Sequence, residues 1–132
     1  MLRACQRVLK PGAPLAFFVV TVADGLSRRG IERAIEAGPE YVEAGPGYRA
    51  LVEEAGFAAV EIVDVSDEYA ATLSDSIRAR DAEAAELKEL VGADVFAEGQ
   101  ASRREELAAV HNRLLRRHLI SAVRPQPGLP SA

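Results

Sequence analysis

The amino-acid sequence predicts an α/β fold, in which helices pack against a sheet whose first two strands run parallel. Three short apolar runs are typical of strands: residues 15–23 (LAFFVVTVA), 59–65 (AVEIVDV) and 119–123 (LISAV). Stretches with helical spacing of apolar residues separate these runs, and such alternation is typical of α/β architecture. Because helices connect the first run to the second, and parallel neighbours need such a crossover, we predict that these two strands are parallel.

The chain opens with the end of a helix that feeds a strongly apolar strand. Residues 2–9 have apolar side chains at helical spacing, and Pro11-Gly12 predicts the point at which that helix stops. In the strand that follows, residues 15–23, apolar side chains fall on both faces. A strand of this kind usually lies inside a sheet that is covered on both sides.

A turn, two helices and the second strand come next. Asp24-Gly25 predicts the turn, and Ser27 can cap the N-terminus of a short helix. Residues 38–47 contain three glycines and two prolines, which indicates a loop. The next helix has one apolar face and ends at Gly56, a residue suited to a left-handed C-terminal cap; that face consists of Tyr48, Leu51, Val52 and Ala55. The second strand alternates imperfectly, so one of its faces or edges is expected to meet water.

A long helical stretch separates the second strand from the third. Ser66 is a candidate N-cap for a helix with the apolar stripe Tyr69, Leu73, Ile77, Ala84, Leu87 and Val91. Gly92 and Gly99 predict a break in the helix. Ser102 and Glu105 have the spacing of a capping box, which predicts that another helix starts there. The apolar residues of that helix are Leu107, Val110, Leu114 and Leu115.

The domain organisation predicted from this order is simple. Residues 1–123 form one partial α/β domain, in which residues 67–117 are a helical insertion. Residues 124–132 contain three prolines, which indicates a disordered tail.

Composition excludes several classes of protein. Acidic residues outnumber basic ones by 20 to 16, and neither half of the chain is basic, so we expect no nucleic-acid partner. The apolar run 15–23 is too short to span a bilayer as a helix, and no signal peptide is visible. We therefore expect no membrane partner and a cytoplasmic location. The single cysteine, Cys5, excludes an intrachain disulfide, and its helical spacing with apolar neighbours predicts a buried thiol rather than a nucleophile.

Three segments, in order, resemble class I S-adenosylmethionine-dependent methyltransferases. RVLKPGAPLAFFVV (7–20) resembles the family's helix, Leu-Lys-Pro-Gly-Gly turn and fifth strand, with Ala13 in place of the second glycine. YRALVEEAGFAAVEIVDVS (48–66) is similar to the next helix, the Ala-Gly-Phe turn and the sixth strand. LISAVRP (119–125) resembles the closing seventh strand, which in that family inserts antiparallel between strands five and six. The resemblance implies the C-terminal part of a Rossmann-like sheet, with a helical insertion between its last two strands.

The resemblance implies methyl transfer from S-adenosylmethionine to a small-molecule substrate. In that family a glycine-rich turn after the first strand approaches the cofactor, and an acidic residue at the end of the second strand binds its ribose. The sequence contains no Gly-x-Gly-x-x-Gly, and Gly45-Pro46-Gly47 is a loop in which proline removes a backbone donor. We therefore name no cofactor-binding residue and expect no binding of S-adenosylmethionine by this chain alone. It is predicted to be a C-terminal fragment or a degenerate form. The alternative is a non-catalytic interaction module that completes its sheet by homodimerisation or with a partner chain.

Substrate-contacting residues in such a sheet lie near the carboxyl ends of the strands or in the loops beyond them. We name six candidates for the substrate pocket, and no catalytic residue among them: Thr21, Asp24, Tyr41, Tyr48, Tyr69 and His111. A plain turn role competes for Asp24, and core packing competes for Tyr48 and His111. His118 is expected to begin the last strand at its solvent end. No carboxylate accompanies the two histidines at ligand spacing, so we expect no metal site.

The helices predicted within residues 67–117 exceed what a hairpin between two strands needs. Long elaborations of compact domains are usually functional. Two roles remain open from the sequence, a lid over the substrate pocket and a surface for dimerisation. The lid is favoured because the insertion leaves the sheet at the end where the active site of the family lies.

Overall fold

The computed structural model describes residues 1–38 and 47–126. Within them the elements, in chain order, are α1 (Leu2–Val8), β1 (Pro14–Val22), α2 (Arg28–Ala37), α3 (Tyr48–Glu54), β2 (Ala58–Asp64), α4 (Ser66–Ala82), α5 (Ala84–Val91), α6 (Ala93–His111) and β3 (Leu115–Val123). The α/β class predicted from the sequence is confirmed. None of the helices in the described residues is both long enough and apolar enough to cross a membrane.

The three strands form one sheet in the order β1-β3-β2. β3 runs antiparallel to β2. It also runs antiparallel to β1, because the Ala23 amide donates to the Leu114 carbonyl (2.9 Å) at one end and the Arg124 amide donates to the Ala13 carbonyl (3.0 Å) at the other. β1 and β2 are therefore parallel to each other, as the sequence pattern predicted, and the last strand lies between them, as the resemblance implied.

The described chain divides into two compact units, and β1 and β3 each contribute residues to both. The first unit consists of the described residues within 1–19, 45–64 and 118–132. Gly56 ends α3 with a φ of +97°, and the following Phe57 is only 4% exposed, as the sequence predicted. Leu2 and Cys5 of α1 lie against the core of this unit, which consists of Val52, Phe57, Val60, Ile120 and Ala122.

The second unit consists of the described residues within 20–44 and 65–117. Ser27 caps α2 as predicted, since its Oγ accepts a hydrogen bond from the Gly30 amide at 3.1 Å. The core of this unit joins α2, α4, α6 and the start of β3 and consists of Ala34, Ala70, Leu73, Ala109, Val110 and Leu115.

The helices between β2 and β3 differ from the sequence prediction. The predicted long helix is two helices, because the chain turns at Glu83 and both α4 and α5 pack against α6. No glycine or proline marks this turn, so tertiary packing decides it. The predicted start at Ser102 is also wrong, since α6 already begins at Ala93 and passes through Ser102. The Gln100 amide is 2% exposed and donates to the Ile77 carbonyl of α4, which anchors this part of α6.

The start of β3 also differs from the prediction. α6 ends at His111, and Arg113 adopts a left-handed conformation (φ +59°), which lets the chain enter β3 at Leu115 rather than at Leu119. His118 is consequently in the middle of the strand and lies opposite Asp64 of β2, not at a solvent end. The predicted cap at Ser66 is wrong for the same reason: its Oγ accepts a hydrogen bond from a backbone amide of the longer β3.

Candidate functional site

The candidate site lies in the second unit, where α4 starts, β3 starts and α6 approaches them. β1 and β2 are parallel, so both finish at the edge of the sheet where β3 begins. Ligands of α/β proteins bind outside the carboxyl ends of such strands. The polar side chains gathered there are Ser66 and Tyr69 of α4, Glu106 of α6 and Arg117 of β3.

Tyr69 and Glu106 form the central pair of this site. The Tyr69 hydroxyl donates to Oε1 of Glu106 at 2.5 Å, a short hydrogen bond to a carboxylate. Burial is the main cause that raises the pKa of Tyr69, and the Glu106 carboxylate raises it further through its hydrogen bond and its charge, against a smaller opposing effect of Arg117. Tyr69 therefore stays protonated near neutral pH and acts as a hydrogen-bond donor, not as a base.

Arg117 covers the Tyr69 ring and joins β3 to the start of α4. Its Cζ atom lies 4.5 Å from the ring centroid, within the range of a cation–π interaction. Its backbone amide donates to Oγ of Ser66 at 3.0 Å, and its carbonyl accepts a hydrogen bond from the Val65 amide at 2.8 Å. The side chain and the backbone of Arg117 together thus fix the position of Tyr69.

This arrangement suits recognition of a polar molecule better than proton abstraction by tyrosine. It presents a neutral phenol, a carboxylate and a guanidinium on three different elements. The carboxylate of Glu106 accepts hydrogen bonds from N–H or O–H groups, and the phenol holds that carboxylate in one orientation. A substrate amine or hydroxyl placed beside Glu106 would find an acceptor whose position is already set.

Three of the predicted pocket residues lie in the second unit besides Tyr69. Thr21 is partly buried near the end of β1, and Asp24 is exposed in a turn with Gly25, whose φ is +75°. A turn role therefore accounts for Asp24. His111 is exposed at the last position of α6, so the expectation that it packs on an apolar helix face is wrong. The helix ends at this residue, and its side chain lies outside the core.

The other two predicted pocket residues do not join this cluster. Tyr48 begins α3 in the first unit, where its ring packs edge-to-face against Phe17 with the centroids 6.4 Å apart. This contact agrees with the competing prediction of core packing. Tyr41 lies outside the described residues.

Sequence analysis missed Glu106 and Arg117. Glu106 follows Tyr69 by 37 positions, and no local spacing connects the two. Arg117 belongs to the doublet Arg116–Arg117, which falls in the predicted helical insertion because the third strand is predicted to start only at Leu119. A strand prediction that included LRRH would have placed one arginine of the doublet on each face of the sheet.

Within the described residues, no strand is followed by a glycine-rich turn of the kind that approaches S-adenosylmethionine. Gly25 is the described glycine that follows a strand and precedes a helix, and an added Cβ there would meet no atom within 4 Å. Its neighbours are Asp24 and Leu26, so the turn has a single glycine and lacks the close backbone approach of a glycine-rich cofactor loop. In the part of the chain that the structure describes, no group of three or more His, Cys, Asp or Glu side chains is placed to hold a metal ion.

Comparison with known proteins identifies the fold. No protein-family model and no curated protein matches the sequence. Among solved structures, the chain resembles phosphoethanolamine N-methyltransferase 2 of Haemonchus contortus in complex with phosphomonomethylethanolamine and S-adenosylhomocysteine, with a TM-score of 0.78, 14% identity and coverage of 95% of this chain and 29% of that one. A structure of the same enzyme with S-adenosyl-L-methionine gives a TM-score of 0.72 at 17% identity, again over 95% of this chain and 29% of that one.

A third similar structure is a Galdieria sulphuraria protein assigned as a sarcosine dimethylglycine methyltransferase. Its TM-score is 0.78 at 17% identity, over 94% of this chain and 46% of that one. The resemblance to methyltransferases is thus confirmed for the fold. The chain spans less than half the length of each of these structures.

Proposed function

We propose that this chain is the C-terminal portion of an S-adenosylmethionine-dependent methyltransferase that acts on a small molecule. The observation that carries the proposal is the superposition of 95% of the chain, at a TM-score of 0.78, on an enzyme in complex with S-adenosylhomocysteine and phosphomonomethylethanolamine. A C-terminal portion is expected to align along nearly all of its own length with only part of the longer enzyme. The alignment agrees, because it covers 95% of this chain and 29% of the enzyme.

The position of β1 in the sheet supports the same proposal. In the described residues β1 is an edge strand, and its sequence PLAFFVVTV contains no charged residue. Edge strands of stable proteins are usually protected by charges, bulges or a covering element, because a bare edge pairs with other chains. A methyltransferase completed at this edge would supply the neighbouring strand together with the cofactor-binding half.

In the completed enzyme S-adenosylmethionine would supply the methyl group. The residues of this chain would bind and orient the molecule that receives the methyl group, next to the carboxyl ends of β1 and β2. The carboxylate of Glu106 would accept a hydrogen bond from the molecule that is methylated. The Tyr69 hydroxyl would hold that carboxylate in place. Tyr69 keeps its proton in this role, because its pKa is raised. A cytoplasmic location is part of the proposal.

The experiment that tests the proposal compares this chain with the longer protein encoded by its genomic context. Calorimetric titration of the chain alone with S-adenosylmethionine is expected to show no micromolar binding. The DNA upstream of the first codon is expected to encode, in frame, a strand followed by a glycine-rich turn, and the longer protein is expected to bind the cofactor. A stop codon immediately upstream would contradict the fragment.

Such a stop codon would favour the alternative hypothesis, a non-catalytic interaction module. In that module a second copy or a partner chain would complete the sheet by pairing with β1. Light scattering separates the outcomes. A bare apolar edge is expected to give dimers or larger species for the chain alone. A sharp monomer peak with a cooperative thermal transition would count against both an open edge and a missing half.

The helices α4, α5 and α6 are proposed as a lid over the substrate. The test replaces residues 83–92, which include α5 but neither Glu106 nor a core residue of the second unit, by a short glycine-containing turn in the longer protein. A lid predicts that turnover or substrate specificity is lost while the affinity for the cofactor is nearly kept. Unchanged turnover together with a change from dimer to monomer would assign these helices to a dimer surface instead.

A further inference from the structure

A cleft between α2 and α6 has the charge pattern of a site for a small zwitterion. Its volume is about 300 Å³, enough for a molecule of a few heavy atoms. The cleft lies entirely within the second unit. Its apolar lining consists of Ala37, Ala108, Ala109 and Leu114.

The cleft exists because of the residues at the crossing of the two helices. Glu105, Ala108, Ala109 and Asn112 recur at the spacing of one face of α6, and Arg33, Glu36 and Ala37 do so on α2. Ala108 and Ala109 on α6 and Ala37 at the end of α2 are small and leave space between the helices. The longer polar side chains that line this space are exposed.

The charged groups at this rim have no ionic partner in the described part of the chain. Arg33, Glu36 and Glu105 all line the cleft, yet none of them forms an ion pair with another described residue. Other charged residues of α2 and α4 do form such pairs, for example Arg28 with Glu32 and Arg104 of α6 with Asp81. Two carboxylates and one guanidinium are therefore left facing one space.

We propose that this cleft binds a small molecule that carries both an ammonium group and an anionic group, with the ammonium between Glu36 and Glu105 and the anion on Arg33. Asn112 adds a side-chain amide that can donate to the anion or accept from the ammonium. The excess of one carboxylate favours ligands with no net negative charge. This assignment concerns binding alone and does not depend on the proposed methyl transfer.

The cleft and the Tyr69–Glu106 pair lie on different sides of α6. Glu105 lines the cleft, whereas the next residue, Glu106, accepts the hydrogen bond from Tyr69. Successive residues of a helix point about 100° apart, so one residue can face each site. A substitution at Glu105 therefore leaves the hydrogen bond between Tyr69 and Glu106 in place.

The proposal is tested by nuclear magnetic resonance titration of the full chain with β-alanine. Saturable shifts are expected at the backbone amides of Ala37, Ala108 and Ala109. N-acetyl-β-alanine, which lacks the ammonium, and β-alanine methyl ester, which lacks the carboxylate, are expected to bind about threefold more weakly, because each loses one ionic contact with exposed side chains.

Three variants separate the cleft from general effects of charge. The double variant Glu36→Gln/Glu105→Gln is expected to weaken β-alanine binding about tenfold. Ala108→Leu fills the cleft without changing charge and is expected to abolish binding, and its thermal transition shows whether the fold is intact. Glu98→Gln, on the same helix outside the cleft, is the matched control and is expected to leave binding unchanged. Equal binding of all three probes, equal effects of the control and cleft variants, or no saturable shift would overturn the proposal.

Discussion

Replacement of Tyr69 by phenylalanine tests how the candidate site is held together. The change removes one hydroxyl and keeps the ring under the guanidinium of Arg117. It deletes the 2.5 Å hydrogen bond to the Glu106 carboxylate, and both side chains are part-buried. A hydrogen bond to a charged group contributes roughly 1.5–3 kcal/mol, and partial exposure places this one at the lower end. We expect Tyr69→Phe to lower the free energy of unfolding by about 1.5 kcal/mol.

The assay is urea denaturation followed by circular dichroism at neutral pH, with Tyr48→Phe as the matched control. The Tyr48 ring packs against Phe17, and its hydroxyl forms no hydrogen bond to another described residue. Loss of that hydroxyl is expected to change stability by less than about 0.5 kcal/mol, as for most substitutions away from specific contacts. Equal losses of stability in the two variants would refute the role of the bond between Tyr69 and Glu106.

The pH dependence gives an independent check of the surroundings of the Tyr69 hydroxyl, first its burial and then its hydrogen bond to Glu106. The pKa of Tyr69 is raised in the folded protein, so the folded state holds this proton more tightly than the unfolded state does. The stabilisation is therefore complete below the pKa of an unfolded tyrosine, about 10, and is lost as the pH rises through the folded value. The difference in stability between wild type and Tyr69→Phe is expected to shrink above about pH 10. A difference that stays constant or grows in alkali would contradict this account.

Three further substitutions test the helical packing and the turns by thermal denaturation. Gln100→Leu removes a buried amide that donates to the Ile77 carbonyl, and it is expected to lower the free energy of unfolding by about 2 kcal/mol. An unchanged melting temperature would show that this hydrogen bond does not stabilise the fold. Arg113→Gly relieves a left-handed φ of +59° and is expected to stabilise by about 0.5 kcal/mol, and a loss of stability would count against strain at this turn. Gly12→Ala, at a φ of +82°, is expected to destabilise by about 1 kcal/mol, whereas Gly47→Ala, where an added Cβ meets open space, serves as its control.

The sheet was predictable from the sequence because its signals are local. The apolar run that begins after Pro11-Gly12 and the AVEIVDV run each became a strand within one residue of the predicted bounds. Ser27 and Gly56 act through hydrogen bonds and backbone angles a few residues away, so their capping roles could be read directly. The insertion of the third strand between the first two was implied by the resemblance to methyltransferases.

The helices and the site were less predictable because their determinants are distant in sequence. The turn at Glu83 has no local signal and follows from the packing of two helices on α6. Ser102 has the spacing of a cap, but the buried contact of Gln100 with α4 keeps the chain helical through it. The pair of Tyr69 and Glu106 depends on how α4 and α6 are placed, which no spacing in the sequence encodes.

The position of β3 in the middle of the sheet has a consequence for synthesis on the ribosome. β1 and β2 are made first, yet neither pairs with the other, and their shared neighbour is translated only after α4, α5 and α6. The nascent chain therefore carries the apolar β1 without its β3 partner while the entire helical segment is produced. Contacts between residues so far apart in sequence form late and slowly. We expect a chain arrested before Leu115 to bind chaperones that recognise extended apolar segments, and to be released from them once the last strand emerges.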